Sequence, residues 1–283
     1  RGDTMNSMLR KAAGAAAIVL SVALVAGCGS APSSTSSNTK SIRVGTSPGP
    51  YSELFKKGAA PVLQKEGYTI KYTSFSDLQT ADVALNEGSV DLNVDQHTAY
   101  INAFNKNKGG DLVPLQAIPT VPAGLYSQRH KSLKDVASGD LVAISQDPSN
   151  ESRGLRLLEK IGWIALKPDA DPVTVTPNDI ATNPKNLQIK PMDSATIPRS
   201  LGDLDYAVIP GSVSYSSKVD PKLQLAQEKL KDEYLLQVTV KKANKDAAWA
   251  KDVVKAYKSK EFLDYLGKNN TNNYWFVPES LKQ

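Results

Sequence analysis

The chain has 283 residues, 40% of them hydrophobic, and 34 Lys and Arg against 29 Asp and Glu, a formal charge of +5. Arg1, Asp3, Arg10 and Lys11 together carry +2, which leaves +3 with the lysines scattered, so a nucleic-acid-binding stripe is excluded. A single cysteine, Cys28, excludes an internal disulfide, and two histidines, His97 and His130, without ligand-spaced partners argue against a metal or a metal cofactor.

The N-terminal stretch reads as a targeting segment. Arg10 and Lys11 form a positive n-region, residues 12–26 carry no charge, and Val25-Ala26-Gly27 places small residues directly before Cys28. The apolar core is shorter than the ~20 residues a membrane span requires. Residues 1–27 are therefore expected to be a signal peptide, with the start at Met5 or Met8 and residues 1–4 set aside. Cys28 is the expected lipidation site, and its acyl chains would hold the protein to the extracytoplasmic face of the cell membrane without spanning it. Residues 28–41, rich in Ser, Thr, Ala and Pro, cannot bury a core and read as a flexible tether.

About 240 residues remain, enough for a core without disulfides. Residues 42–45 are a β-branched strand, followed by the turn Ser47-Pro48-Gly49-Pro50. Leu54, Phe55, Ala59, Val62 and Leu63 recur at helical spacing over 51–66, and Gly67 ends that helix. A strand follows at 69–74, a helix at 78–86, a strand at 90–94 and a helix at 97–107. Residues 112–121 are strand-like, interrupted by Pro114 and Pro119. In the second half, strands are expected at 141–145, 187–190, 206–209 and 235–240. Helices are expected at 151–160, 195–201, 247–257 and 260–266.

This alternation predicts an α/β fold with largely parallel sheets. Pro/Gly-rich crossings at Pro122-Ala123-Gly124 and Pro210-Gly211 divide it into two lobes, 42–122 with 211–283 and 123–210. Ligands of open α/β sheets bind at the carboxyl ends of strands, which in a two-lobed arrangement is a cleft that closes by hinge motion.

Enzyme chemistry is not supported. No Gly-x-Ser-x-Gly occurs, and Asp91-x-Asn93-x-Asp95 lacks the Gly and Glu of a calcium loop. Asp95 and His97 are an acid and a base two residues apart, but their plainer reading is to hydrogen-bond a ligand or their own loop. Asp147-Pro148-Ser149-Asn150-Glu151-Ser152-Arg153 is more informative, because it follows a strand and opens a helix. A helix N-terminus favours an anion, and Arg153 adds a fork that fits a carboxylate. The same residues also fit an ordinary cap with Arg153 paired to a protein acid.

Several segments, in order, resemble one family. Val44-Gly45-Thr46-Ser47-Pro48-Gly49-Pro50-Tyr51 resembles VGATPGP(H/Y), Phe75-Ser76-Asp77 resembles FSDY, and Gln96-His97 with Tyr100 resembles FQHKPY. Gly124-Leu125-Tyr126-Ser127 is similar to GLYS, residues 147–153 to DPSNExR, Asn183-Pro184-Lys185-Asn186-Leu187 to NPKNL, and Ala207-Val208-Ile209 to AVIxG. These are motifs of the methionine-binding lipoproteins of the NlpA/MetQ type, substrate-binding subunits of ABC importers. The resemblance implies a type II-like periplasmic-binding-protein fold and a monomer that delivers a small amino-acid-like ligand to a permease and its ATPase. It implies that Arg153 and Asn150 hold a ligand carboxylate and that His97, Tyr100, Tyr51 and Phe75 line the cleft.

Departures from the pattern fall at the same place. An aromatic residue is replaced by Asp95, and two amides that would meet a ligand's amino group are Pro210 and Leu236. Asp95 is therefore expected to take a cationic or hydrogen-donating group, with the ligand being methionine, a related amino acid or a short peptide. The alternative is a surface-anchored adhesion protein that keeps the fold.

Overall fold

The computed structural model describes residues 40–171, 174–270 and 274–282. The expected signal peptide, Cys28 and nearly all of the tether lie outside the described residues. Among those described, no helix is long and apolar enough to cross a membrane.

The first sheet is ordered β2-β1-β3-β12-β4 and the second β11-β5-β10-β6-β9. Their strands are β1 (Lys40–Thr46), β2 (Tyr68–Ser74), β3 (Leu92–His97), β4 (Leu112–Ala117), β5 (Gly124–Tyr126), β6 (Leu141–Ser145), β7 (Ala165–Leu166), β8 (Ile180–Thr182), β9 (Gln188–Met192), β10 (Tyr206–Ile209), β11 (Gln224–Gln227) and β12 (Leu236–Lys241). Strands β7 and β8 form a separate two-stranded ribbon. The helices are α1 (Pro50–Leu54), α2 (Ala60–Lys65), α3 (Leu78–Glu87), α4 (Thr98–Lys108), α5 (Pro148–Lys160), α6 (Ile197–Ser200), α7 (Gly211–Ser216), α8 (Ala248–Lys258) and α9 (Lys260–Asn269).

The sheets are less parallel than the alternation predicts. Strand β1 runs parallel to β2 and β3, but β12 is antiparallel to both β3 and β4. In the second sheet β10-β6-β9 are parallel, and β5 is antiparallel to β10 and β11. Strands β5 and β11 carry only three and four residues, too few for an alternation to register in the sequence.

Strand β11 also bears on the division into lobes. The chain leaves the first sheet after β4 and enters the second at β5. It returns only between β11 and β12, over residues 228–235, because Ala226 and Gln227 pair with Leu125 and Gly124. The Pro210-Gly211 step instead turns the chain from β10 into α7. Gly211 is required there, since a Cβ would overlap the Val121 carbonyl oxygen on the first crossing.

Each sheet has its own core. In the first, Ile42, Val44, Leu92, Val94, Val238 and Val240 pack against Phe55, Leu63, Val253, Tyr257 and Phe262. In the second, Leu125, Val142, Ile144 and Val208 pack against Leu155, Leu158 and Trp163. Each fully buried side chain of this size stabilises the fold by roughly 1.5–3 kcal/mol. The helix expected over 51–66 forms as α1 and α2 joined by a π-helical turn, Phe55–Ala59. There Ala60 N–H reaches Phe55 O, and Pro61, which has no N–H to donate, follows at once.

Candidate functional site

A cavity of about 50 Å³ lies between the sheets, lined by Tyr51, Leu78, Asp95, Gln96, His97, Tyr100, Asn150, Arg153, Pro210, Ser212 and Leu236. Asn150, Arg153 and Pro210 follow strands of the second sheet, and Asp95, His97 and Leu236 belong to the first. A wider chamber of about 330 Å³ shares Leu78, Asp95, Tyr100, Asn150, Pro210 and Ser212 with it and is also lined by Asp77, Asp147 and Asp193. The wider chamber falls in the range of small-molecule sites, and the inner one is its narrow end.

The inner end is built from strand and helix ends. Strand β3 runs on to His97, past the boundary expected at residue 94, and His97 caps α4, its Nδ1 accepting the Tyr100 N–H at 3.1 Å. With Nδ1 an acceptor, the ring proton sits on Nε2 and points to Asn150 Oδ1 at 3.3 Å, a contact across the cleft. Burial, reinforced by the nearby Arg153 charge, lowers the His97 pKa to about 3, so the imidazole is neutral.

Asp147 caps α5, accepting the Asn150 N–H at 3.1 Å and the Asn150 Nδ2 at 3.0 Å. The helix N-terminus that sequence marks as an anion site is thus partly satisfied by the chain's own carboxylate.

Arg153 is buried and its Nε lies 2.7 and 2.6 Å from the two Glu228 oxygens, with Nη2 also on Glu228 Oε1. The fork is therefore engaged by a protein acid, and none of these bonds uses Nη1. Burial acts to lower the Arg153 pKa, but the Glu228 charge and hydrogen bonds outweigh it and raise it. The Tyr234 ring lies 5.5 Å from the guanidinium. Glu228 Oε1 accepts the Ala123 N–H at 2.5 Å, and Glu228 N donates to Ala123 O at 3.0 Å. One carboxylate so joins Arg153 to both crossings between the sheets.

Asp95 is buried, and its Oδ2 accepts Ser47 N at 2.9 Å and Ser52 Oγ at 2.7 Å while Oδ1 accepts Ser52 N at 3.1 Å. It holds the 47–52 turn to β3 and leaves spare capacity on Oδ1. Burial pushes its pKa up to about 6, against the lowering effect of the Ser52 and Ser47 hydrogen bonds. Tyr51 is buried, with its hydroxyl 3.4 Å from Val121 O on the first crossing.

The structure thus brings Tyr51, Asp95, His97, Tyr100, Asn150 and Arg153 to one cavity, together with the departures Pro210 and Leu236. Phe75 is not among the lining residues. It lies in the turn between β2, which ends at Ser74, and α3, which begins at Leu78, and packs against the cluster of Leu85, Val90, Ile101 and Phe104. Leu78, Ser212 and Glu228 were not singled out by sequence. Glu228 sits in the charged stretch Glu228-Lys229-Leu230-Lys231-Asp232-Glu233, which carries no local sign of burial.

Two sheets joined by two crossings, with a polar cavity between them at the strand ends, define a two-lobed substrate-binding protein of mixed α/β fold. The chain matches the model of the NlpA lipoprotein family over residues 42–278 and belongs to that family. It is 32% identical over 257 residues to the D-methionine-binding lipoprotein MetQ of Salmonella typhi, covering 89% of this chain and 92% of that one. It is 30% identical over 258 residues to the methionine-binding lipoprotein MetQ of Bacillus subtilis, covering 89% and 93%. A nutrient binding protein from Burkholderia cenocepacia, solved bound to methionine, superposes with a TM-score of 0.77 at 36% identity, over 83% of this chain and 99% of that chain.

Proposed function

We propose that this protein is the lipid-anchored, non-enzymatic substrate-binding subunit of an ABC importer. It captures a small amino-acid-like solute, methionine or a related amino acid or short peptide, outside the membrane and hands it to a permease. The observation that carries this reading is the placement of Arg153, Asn150 and His97 on opposite walls of one inter-lobe cavity. The names of the methionine-binding relatives support the solute class.

In this reading Arg153 Nη1 meets the ligand carboxylate, while Glu228 holds the other edge of the fork. The amino group faces apolar Pro210 and Leu236 on two sides, so Asp95 Oδ1 is its acceptor. An ammonium left unpaired there would cost several kcal/mol. The test is isothermal titration of wild type and Asp95→Phe with L-methionine. Weaker binding by the variant is expected, and equal binding removes Asp95 from the site.

A further inference from the structure

Sequence spacing gives His130 no metal-ligand partner, yet the fold supplies two. His130 follows β5, Asp140 immediately precedes β6, and Asp205 immediately precedes β10. Nε2 of His130 lies 3.9 Å from Asp140 Oδ2 and 3.8 Å from Asp205 Oδ1. Ligand atoms of the three residues all fall within 4.8 Å of one another. Among the described residues this is the one His/Cys/Asp/Glu group with metal-ligand spacing.

From this geometry we propose a divalent transition-metal site of the zinc class, held by His130, Asp140 and Asp205. Tetrahedral zinc, with metal–nitrogen and metal–oxygen bonds of about 2.0–2.2 Å, sets its ligand atoms roughly 3.3–3.6 Å apart. Both nitrogen–oxygen separations exceed that spacing by a few tenths of an ångström and lie beyond hydrogen-bonding distance, so the imidazole nitrogen faces two carboxylates without bonding either, and small side-chain shifts would bring them onto one ion. One imidazole and two carboxylates suit zinc, with water completing the shell.

The ligands are held in place by their surroundings. The His130 ring stacks on Tyr206 at 4.7 Å and 10°. Ser127 Oγ donates to Asp205 O at 2.6 Å and accepts the His130 N–H at 2.9 Å, pinning the loop to the start of β10. Asp140 Oδ2 accepts Ala137 N, and Asp205 Oδ2 accepts Leu141 N, each at 2.8 Å. Side-chain exposures of 21%, 11% and 21% leave the site open to an ion from solvent. Arg129 now supplies the positive charge, with Nη1 3.1 Å from Asp205 Oδ1. Its side chain is 47% exposed, and its Nε also donates to Gly202 O at 3.0 Å.

The site lies at the N-terminal ends of β6 and β10, and the ligand cavity at their C-terminal ends, roughly 15 Å away at ~3.3 Å per residue. A bound ion would tie three segments of the second sheet together. It is independent of the solute reading, since none of its ligands lines the cavity.

The experiment is calorimetric titration of the tag-free full chain in detergent with zinc chloride near neutral pH. Cys28→Ser is present throughout so that no thiol contributes. The expected result is one saturable site per chain, weakened at least about tenfold in His130→Gln and in Asp140→Asn, and unchanged or tightened in Arg129→Gln. Circular dichroism establishes that each variant is folded. Absence of saturable binding, or His130→Gln binding zinc as tightly as the parent, overturns the proposal.

Discussion

Arg153, in the second turn of α5, and Glu228, on the return passage to the first sheet, form a buried ion pair whose carboxylate also holds the Ala123 amide of the other crossing. Deleting one partner strands a buried charge. Glu228→Ala is expected to cost about 3–5 kcal/mol, whereas Arg153→Met with Glu228→Leu together should cost less than the sum of the single changes. Urea unfolding of the four proteins measures both quantities.

Asp95 ties two serines of the 47–52 turn to β3. Asp95→Ala leaves the Ser47 and Ser52 amides without that acceptor in a buried region, a loss of about 1–3 kcal/mol. Asp95→Asn keeps one acceptor oxygen and should lose less. Chemical unfolding midpoints at one pH rank the three.

The same carboxylate gives binding a pH dependence. Its pKa of about 6 means that it takes up a proton as the pH falls through that value. An ammonium beside Oδ1 favours the ionised form, so affinity for an amino acid should be full well above pH 6 and weaken below it. Titrations on either side of that pH, in buffers of different ionisation enthalpy, should also detect proton release on binding.

Asp82 is wholly buried in the first lobe, with Oδ1 accepting Asn93 Nδ2 at 2.7 Å and Gln96 Nε2 at 2.5 Å, and Oδ2 unpaired. Burial raises its pKa from 3.8 to about 7, against the lowering effect of those two amides. The folded value lies above the unfolded one. The stabilisation from the protonated form is therefore complete below about pH 4 and lost as the pH climbs through 7. Between pH 5 and 8 this group should cost on the order of 2–3 kcal/mol, and Asp82→Asn should flatten that decline. Thermal midpoints of both proteins across the range decide it.

Much of this was legible in the chain itself. The strands at 141–145 and 206–209 have the expected bounds, because Leu141-Val142-Ala143-Ile144 and Tyr206-Ala207-Val208-Ile209 are apolar runs that begin directly after Asp140 and Asp205 and end at Ser145-Gln146 and Pro210. Asn150 and Arg153 reach the cavity because a cap after a strand and one helical turn fix their direction. Glu228 was not legible, since its burial depends on Arg153, 75 residues away. His130 was not either, since Asp205 reaches it only when β5 and β10 pair. Phe75 was expected on the cleft wall from the family resemblance, but it packs against the apolar cluster of Leu85, Val90, Ile101 and Phe104.

The most direct measurement is thermal unfolding of the protein against a panel of amino acids and short peptides, methionine included. A solute that binds only the folded state stabilises by RT ln(1 + [L]/Kd), about 2.7 kcal/mol at a hundredfold excess over Kd. A rise with methionine or a related amino acid or peptide that disappears in Arg153→Met is the expected result. A midpoint that no member of the panel moves, in a protein that is folded at the outset, would contradict capture in this cleft.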